Sequence, residues 1–259
     1  MRTQKISFFS KGNKIIGEMN LSVNQGKKLP TIILFHGLTN TRNDCPLIVQ
    51  TAKTLAENGF NSFRFDFFGS GESDGEMKDK TLDILLQNAK DAVEFISNHT
   101  LVDKNKIGLW GRSIGGTIGC LIPPNKKIKA RVLASPGVFL ENSFENKFKG
   151  LQEKEKKLEK IGKKLPGTGS YKGKFELKKS WFTSLKGTDK KIIRNLNKLK
   201  NILVLGTSYD QKVTINNVCQ IINFVKEPKR IWIYPCDHDY AGFEKEAIRE
   251  TTDWFKKFL

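Results

Sequence analysis

Residues 107–116 read Ile-Gly-Leu-Trp-Gly-Arg-Ser-Ile-Gly-Gly, and this stretch decides how the rest of the chain is interpreted. An apolar strand runs directly into Gly-x-Ser-x-Gly, and small or apolar residues then open a helix. This order is typical of a sharp strand-to-helix turn that lifts the hydroxyl of Ser113 above the edge of a sheet. We expect a Cβ at Gly111 or Gly115 to collide with the neighbouring strand or helix. The turn therefore predicts a nucleophilic serine, provided that its partners follow in the right order.

The length and composition fit a single globular domain. The chain has 259 residues, of which 38% are hydrophobic, and this is enough to bury one sizeable core. No stretch approaches the roughly 20 apolar residues of a membrane span, and residues 1–20 lack the pattern of a secretory signal. The cysteines have no metal-ligand spacing and are too sparse for a disulfide framework, so we expect reduced thiols in a cytoplasmic protein. They are Cys45, Cys120, Cys219 and Cys236.

Positive charge is concentrated in one segment. The formal net charge is +18, and residues 147–200 contain 18 Lys or Arg against 5 Asp or Glu. Such a field attracts nucleic acid, anionic lipid or acidic substrates. No nucleic-acid-binding module is visible, so no specific nucleic-acid partner is expected. Two interpretations stay open: a solvated lysine-rich surface, or weak attraction to anionic surfaces.

Strands and helices alternate along most of the chain. An antiparallel hairpin is predicted at residues 5–9 and 14–20, around a Lys-Gly-Asn turn. Further strands are predicted at 31–35, 61–65, 107–112, 130–135, 201–206 and 230–234. Helices are predicted at 47–58, 81–98, after the Ser113 turn, at 213–225 and at 241–258. This alternation predicts an α/β fold with a mostly parallel central sheet flanked by helices. Active groups in such sheets collect at the carboxyl ends of the strands.

The alternation breaks between residues 138 and 187. A charged helix is predicted at 153–164, followed by a Pro-Gly-Thr-Gly-Ser loop and scattered aromatic residues. We interpret 138–187 as a basic cap inserted over the active site, between two parts of the core at 1–137 and 188–259. Phe139, Tyr171 and Trp181 are candidate substrate contacts, and the alternative is that they form the core of the cap.

Two partners for Ser113 follow at the ends of later predicted strands. Asp210 lies in the loop after strand 201–206, and His238 follows strand 230–234. In the catalytic chemistry that this order indicates, His238 takes the serine proton while Asp210 orients the imidazole and stabilises its charged form. Asp237 and Asp239 are rivals for the acid, but they flank His238, and adjacent side chains project apart.

These residues carry a resemblance to the α/β-hydrolase superfamily along nearly the whole chain. The chain is most similar to small bacterial carboxylesterases of the cinnamoyl (feruloyl) esterase group. The matching motifs are His-Gly-Leu-Thr at 36–39, Asp-x-x-Gly-x-Gly-x-Ser at 66–73, Gly-Arg-Ser-Ile-Gly-Gly at 111–116, Asp-x-x-Val at 210–213, and His238. The resemblance implies an oxyanion hole formed by the backbone N–H groups of Leu38 and Ile114. It also implies an insertion that caps an acyl or aryl pocket.

The remaining residues of these motifs are interpreted as structural. His36 is expected to shape the oxyanion loop rather than to catalyse. Asp66 and Ser73 are expected to satisfy backbone donors in their glycine-rich turn. Cys236 lies near His238 and is interpreted as a small filler rather than a reactive thiol.

The predicted function is a serine carboxylesterase that hydrolyses small aryl or short-to-medium acyl esters, including feruloyl or cinnamoyl esters, through an acyl-enzyme. We expect no metal and no cofactor, and a small-molecule ester as partner. One alternative is a lipase or thioesterase acting on anionic lipid or coenzyme A esters. A second is a binding protein whose basic cap docks on a membrane or polyanion. Acyl transfer to an alcohol other than water, and assembly as a homodimer, are left open by the sequence.

Overall fold

A central sheet of eight strands organises the protein in the computed structural model, which describes residues 1–23, 27–139 and 177–259. The strands lie in the order β1-β2-β4-β3-β5-β6-β7-β8. The β1–β2 hairpin is antiparallel, β2 is antiparallel to β4, and the other neighbours are parallel. The bounds are β1 (Arg2–Ser10), β2 (Asn13–Leu21), β3 (Leu29–Phe35), β4 (Asn61–Phe65), β5 (Val102–Arg112), β6 (Ile128–Ala134), β7 (Ile202–Thr207) and β8 (Lys229–Tyr234).

Seven α-helices lie in the described part of the chain. They are α1 (Pro46–Glu57), α2 (Leu82–Ser97), α3 (Ile114–Leu121), α4 (Lys179–Ser184), α5 (Thr188–Leu196), α6 (Ile215–Phe224) and α7 (Glu244–Phe258), with a short 3₁₀ helix at Met77–Asp79. The start of α2 is fixed by Thr81, whose hydroxyl accepts a hydrogen bond from the N–H of Ile84. Within residues 1–23, 27–139 and 177–259, no helix is both long and apolar enough to cross a bilayer.

The sheet separates two hydrophobic cores. Side chains alternate along β3, so that Ile33 and Phe35 join the core formed with α2, α3 and α6. Ile32 and Leu34 join the core formed with α1 and α7 on the opposite face. A strand buried on both faces is a continuous apolar run, which is the pattern that predicted it. The predicted α/β architecture with helices on both faces of a mostly parallel sheet is confirmed.

The proposed insertion is only partly described. Residues 140–176 lie outside the described residues, and with them the helix predicted at 153–164, so the boundaries at 138 and 187 remain predictions. The returning chain contacts the start of α2, where the Leu82 N–H donates to Ser184 Oγ at 2.9 Å. The Lys178 N–H donates to the Lys78 carbonyl at 3.1 Å, and the Lys178 ammonium forms an ion pair with Asp79. This segment therefore packs beside the 3₁₀ helix.

Candidate active site

The turn between β5 and α3 holds Ser113 in a strained conformation. Its backbone has φ +56° and ψ −122°, outside the regions that L-residues favour. A Cβ on Gly111 would lie 2.2 Å from the Gly115 carbonyl oxygen, and one on Gly115 would lie 2.3 Å from the Phe35 carbonyl oxygen. Both contacts are far inside van der Waals range, so the predicted close approach is confirmed. Only glycine fits at either position.

Asp210 and His238 meet at the carboxyl ends of the neighbouring strands β7 and β8. His238 Nδ1 lies 2.6 Å from Asp210 Oδ2, and both residues are buried. Asp210 Oδ1 accepts hydrogen bonds from the N–H groups of Lys212 at 2.7 Å and Val213 at 2.9 Å. Burial acts to raise the pKa of Asp210, but the hydrogen bonds from His238 and from these N–H groups outweigh it and lower the pKa. The carboxylate is therefore ionised at neutral pH and orients the imidazole through Nδ1.

The two rival carboxylates have other partners. Asp237 Oδ1 accepts hydrogen bonds from the N–H groups of Asp239 at 2.9 Å and Ala241 at 3.3 Å. Asp239 forms an ion pair with the guanidinium of Arg112. The expected divergence of side chains next to His238 is observed, and the carboxylate bonded to the imidazole is that of Asp210.

Arg112 links the serine turn to the histidine loop. Its Nη2 donates to the carbonyl oxygen of His238 at 2.9 Å, and the residue is 3% exposed. Among the described residues, Ser113 Oγ and His238 Nε2 form no hydrogen bond with each other or with other protein groups. In unliganded enzymes such a bond is often long and tightens only when substrate binds. The structure thus joins Asp210 to His238 and ties the histidine loop to the serine turn, while the serine–histidine bond is not formed.

The loop after β3 lies against the serine. A Cβ on Gly37 would lie 3.8 Å from the Cβ of Ser113. Within the part of the chain that the structure describes, the N–H groups of Leu38 and Ile114 donate to no protein acceptor. Unpaired backbone donors beside a nucleophile are available to a negatively charged oxygen. The two residues implied as the oxyanion hole therefore have free donors.

His36 is locked by the backbone on both sides of its ring. Nε2 accepts a hydrogen bond from the Phe67 N–H at 3.0 Å, so the proton lies on Nδ1, which donates to the Gly37 carbonyl at 2.6 Å. Burial, together with the positive charges of Lys80 and Arg42, lowers the pKa of His36 to about 3. The imidazole is neutral and fully occupied, which agrees with a loop-shaping residue.

The glycine-rich turn after β4 is built on Asp66. Its carboxylate accepts hydrogen bonds from the N–H groups of Arg42 at 2.7 Å and Glu72 at 3.0 Å. Ser73 Oγ donates to the Asp66 carbonyl at 2.7 Å and accepts from the Ile16 N–H at 2.9 Å. The structure adds an ion pair between Asp66 and the guanidinium of Arg42, both of which are buried. The prediction is confirmed for Asp66, which accepts from the Glu72 N–H of the turn, whereas the donor bonded by Ser73 lies on β2. The ion pair is new.

Two functional candidates were missed from the sequence. Lys80 is 1% exposed, and its ammonium donates to the Leu38 carbonyl at 3.0 Å and to Ser70 Oγ at 2.6 Å. Lysine is rarely buried, so nothing in its local sequence indicates this position. The second is Arg112, and the sequence indicates its role only weakly, through its position inside the Gly-Arg-Ser motif.

The three residues predicted to contact substrate differ in where the structure places them. Phe139 is half-buried, packs against Phe224 with ring centroids 6.0 Å apart, and lines a small cleft with Thr117. Trp181 is fully buried in the core that contains α2 and α3, and this packing offers no exposed surface to a substrate. Tyr171 lies outside the described residues. The contacts therefore remain predictions, and that of Trp181 is not supported by its packing.

Two further features bear on the chemistry. Burial raises the pKa of Cys236 to about 11, with the negative charge of Asp237 adding to the effect. A thiol with such a pKa is a poor nucleophile, which agrees with its interpretation as a filler. Among residues 1–23, 27–139 and 177–259, no three His, Cys, Asp or Glu side chains gather closely enough to hold a metal ion.

Part of the chain is similar to curated proteins. A protein of Escherichia coli described as an uncharacterized 31.7 kDa protein in the traX-finO intergenic region is 36% identical over 89 residues, 34% of this chain and 30% of the relative. The chain spans about a third of the length of the curated relatives it matches.

Solved structures cover nearly the whole chain. Est1E from Butyrivibrio proteoclasticus with ferulic acid bound superposes with a TM-score of 0.80 at 19% identity, over 97% of this chain and 98% of the other. The Pyrococcus furiosus esterase Pf2001 superposes with a TM-score of 0.72 at 18% identity, over 100% and 93% of the two chains. At these identities the likeness shows the fold, and it confirms the predicted α/β-hydrolase fold.

The sequence profile of a hydrolase family described as serine aminopeptidase, S33, matches residues 26–205, which is more than half of the chain. The matched range contains Leu38, Ser113 and Ile114 and ends before Asp210 and His238. It agrees with the prediction of a hydrolase. The chain therefore belongs to the serine aminopeptidase S33 family of α/β hydrolases.

Proposed function

We propose that this protein is a serine carboxylesterase that works through a covalent acyl-enzyme, with Ser113, His238 and Asp210 as its catalytic triad. The observation that carries the proposal is the 2.6 Å hydrogen bond between His238 Nδ1 and Asp210 Oδ2 at the sheet edge where Ser113 is held. This bond places the free lone pair of the imidazole on Nε2, which is the atom that must take the serine proton.

The proposed reaction has two halves. His238 Nε2 accepts the Ser113 hydroxyl proton as Oγ attacks the ester carbonyl carbon, and the resulting oxyanion accepts hydrogen bonds from the N–H groups of Leu38 and Ile114. His238 then gives the proton to the leaving alcohol, and the acyl group remains on Ser113 as an ester. Water, deprotonated by His238, attacks the acyl carbon, and the bond from that carbon to Ser113 Oγ breaks. His238 returns the proton to Oγ, and the acid is released.

The proposed substrates are small aryl or short-to-medium acyl esters, including feruloyl and cinnamoyl esters. One observation supports an aryl group: Est1E, which has a similar fold, was solved with ferulic acid bound. The family description, serine aminopeptidase, adds amides of amino acids as the competing class. Amides have poorer leaving groups, so they demand more from the same triad.

The test is a substrate panel measured on the wild type, on Ser113→Ala and on the control Ser7→Ala. Ser7 is an exposed serine on β1, far along the chain from the site. The panel contains p-nitrophenyl esters of increasing acyl length, methyl ferulate and an aminoacyl p-nitroanilide. We expect ester turnover in the wild type and in Ser7→Ala, and none in Ser113→Ala. Ester turnover that survives in folded Ser113→Ala would overturn the proposal, and exclusive turnover of the anilide would replace esterase by peptidase.

The positive charge supports a second candidate substrate class. Residues 147–200 contain 18 Lys or Arg against 5 Asp or Glu, a charge that would attract anionic lipid or coenzyme A esters. If the natural substrates are such esters, kcat/KM falls steeply with added salt for charged esters and stays level for neutral ones, because salt screens exposed charges. If kcat/KM for charged and for neutral esters depended equally on salt, the basic segment would have no role in substrate attraction and would be a solvated surface.

The cysteines support a cytoplasmic location as part of the same proposal. All four are free thiols, with Cys219 exposed and the other three buried. An exposed free thiol fits a reducing compartment. Labelling of the unfolded protein with a thiol reagent, taken directly from cells, is expected to modify all four cysteines.

A further inference from the structure

Lys80 is a buried cation that the catalytic scheme above does not use. It follows the 3₁₀ helix and precedes Thr81, the cap of α2, and only 1% of its surface is exposed. Its ammonium donates to the carbonyl oxygen of Leu38 at 3.0 Å and to Ser70 Oγ at 2.6 Å. Burying a lysine ammonium is unfavourable unless strong hydrogen bonds compensate. The side chain therefore reaches the oxyanion loop against a substantial desolvation penalty.

The contacts of Lys80 extend through the whole loop. Ser70 Oγ, which accepts from the ammonium, donates in turn to the Asn40 carbonyl at 3.1 Å. The Asn40 N–H donates to the Gly37 carbonyl at 3.2 Å, and the same carbonyl accepts from His36 Nδ1. Hydrogen bonds, joined covalently through the backbone of Asn40, thus link the ammonium to the peptide that carries the Leu38 N–H.

This arrangement fixes both peptide planes around Leu38. The plane before it is held through the Gly37 carbonyl by His36, and the plane after it is held through the Leu38 carbonyl by Lys80. When two successive planes are held, the φ and ψ angles between them are held as well. The Leu38 N–H lies in the first of these planes, and those angles set the orientation of that plane relative to the plane that Lys80 holds.

We propose that Lys80 is a positioning residue, whose ammonium holds the oxyanion loop so that the Leu38 N–H points at the reacting oxygen. The inference rests on the proposed function, because it assigns Lys80 a part in stabilising the transition state of ester hydrolysis. It adds a cation that acts on the substrate only through the Leu38 peptide.

The surroundings of Lys80 make its charge sensitive to pH. Among the described residues, the Asp66 carboxylate and the His36 imidazole are the groups that interact electrostatically with the ammonium. Arg42 pairs with Asp66, and Asp79, next to Lys80 in the chain, pairs with Lys178. Burial lowers the pKa of Lys80 to about 7, and the negative charge of Asp66 opposes this shift. The ammonium is therefore lost as pH rises through neutrality, and with it the charge-assisted hydrogen bonds to the loop.

The test is Lys80→Met, which keeps the length of the side chain and removes its donors and charge, with Lys90→Met as the matched control. Lys90 is an exposed lysine on α2. We expect kcat for p-nitrophenyl esters to fall by about 10- to 100-fold in Lys80→Met with KM within about two-fold, less than the loss of a direct donor. The wild type should also lose kcat above about pH 7, and this alkaline limb should be absent from Lys80→Met. Lys90→Met should match the wild type in all three measurements.

A second measurement does not need turnover. We expect amide hydrogen exchange of residues 37–40 to be faster in Lys80→Met than in the wild type or Lys90→Met, because the loop loses its anchor. Unchanged exchange together with unchanged kcat and pH profile would overturn the inference. If Ser113→Ala retains ester turnover, the proposed function fails on its own. If the wild type is inactive toward esters, the exchange of residues 37–40 alone decides whether Lys80 holds the loop.

Discussion

His36 and His238 are both buried histidines that follow parallel strands of one sheet, yet their ring nitrogens have different partners. In His36, Nδ1 donates to a backbone carbonyl and Nε2 accepts from a backbone N–H, so both nitrogens are occupied. In His238, Nδ1 bonds to the Asp210 carboxylate, and Nε2 has no protein hydrogen-bond partner among the described residues. Imidazole acts as a base only through a nitrogen with a free lone pair. The partners, and not the residue type, separate a scaffold histidine from a catalytic one.

The neighbourhoods of the two histidines differ in the same way. Around His36 lie Lys80, Arg42 and Asp66, which bond to loop backbone and to each other. Around His238, the hydrogen bond that Nδ1 donates to Asp210 orients the ring, and Nε2 has no protein partner among the described residues. Changes in the first region should therefore act mainly on stability and loop geometry, and changes in the second should act mainly on turnover.

The largest expected effect comes from exchanging each histidine for glutamine. His238→Gln removes the proposed base, and we expect kcat to fall by about 10⁶-fold, as when a catalytic histidine is lost from a serine hydrolase. His36→Gln keeps one polar group for the loop, and its kcat should fall by no more than about 100-fold. Steady-state hydrolysis of a p-nitrophenyl ester measures both. Similar losses in the two variants would remove the distinction between the two histidines.

The next effect concerns the acid that orients His238. In Asp210→Asn the imidazole loses its charged partner and its preferred tautomer, and we expect kcat to fall by about 10⁴-fold with the fold retained. Asp237→Asn is the matched control, since its side chain can still accept the N–H groups of Asp239 and Ala241. Its kcat should stay within about three-fold of the wild type. If Asp237→Asn were the more damaging change, the acid would be misassigned.

In the region around His36, the expected effect of a substitution is on stability. Asp66→Asn leaves the buried guanidinium of Arg42 without its buried counter-charge. We expect the free energy of unfolding to fall by about 3 kcal/mol, at the low end for a broken buried pair because Glu72 still pairs with Arg42. Urea denaturation followed by fluorescence measures this. A stability equal to that of the wild type would show that the pair does not support the turn.

The smallest measured difference is expected in the change of stability between pH 5 and pH 6. Because His36 has a folded-state pKa of about 3 against 6.5 when unfolded, the unfolded chain binds one more proton between these values. The free energy of unfolding should therefore rise with pH between about 3 and 6.5, by about 1.4 kcal/mol per pH unit from this group. His36→Gln should show a slope shallower by that amount in urea denaturation at pH 5 and pH 6. Equal slopes would mean that His36 takes up a proton in the folded protein.

Much of this organisation could be predicted because it depends on short-range patterns. The continuous apolar run of β3 predicted a strand buried on both faces, and Gly-Arg-Ser-Ile-Gly predicted the turn that holds Ser113. The order of Ser113, Asp210 and His238 at the ends of successive strands predicted which side chains share one edge. The structure confirms that Asp210 and His238 are joined, and their catalytic roles remain a proposal.

What could not be predicted depends on contacts between distant segments. Lys80 has the local sequence of an exposed lysine, and only the return of the loop after β3 brings the Leu38 carbonyl to its ammonium. The pair of Arg112 with Asp239 likewise joins loops more than 120 residues apart. Helix α5 was missed although Thr188, Ile192 and Leu196, its buried residues, recur every four positions. The charged residues between them obscured that spacing.

The central claim is that Ser113 is the nucleophile, and covalent trapping tests it most directly. The folded protein is incubated with diethyl p-nitrophenyl phosphate, a phosphorylating ester analogue, and its mass and peptide map are compared with those of Ser113→Ala. We expect one diethyl phosphoryl group per chain, on the peptide that contains Ser113, with release of p-nitrophenol, and no label on Ser113→Ala. Labelling of another residue, or ester hydrolysis by a wild type in which Ser113 stays unlabelled, would contradict the account.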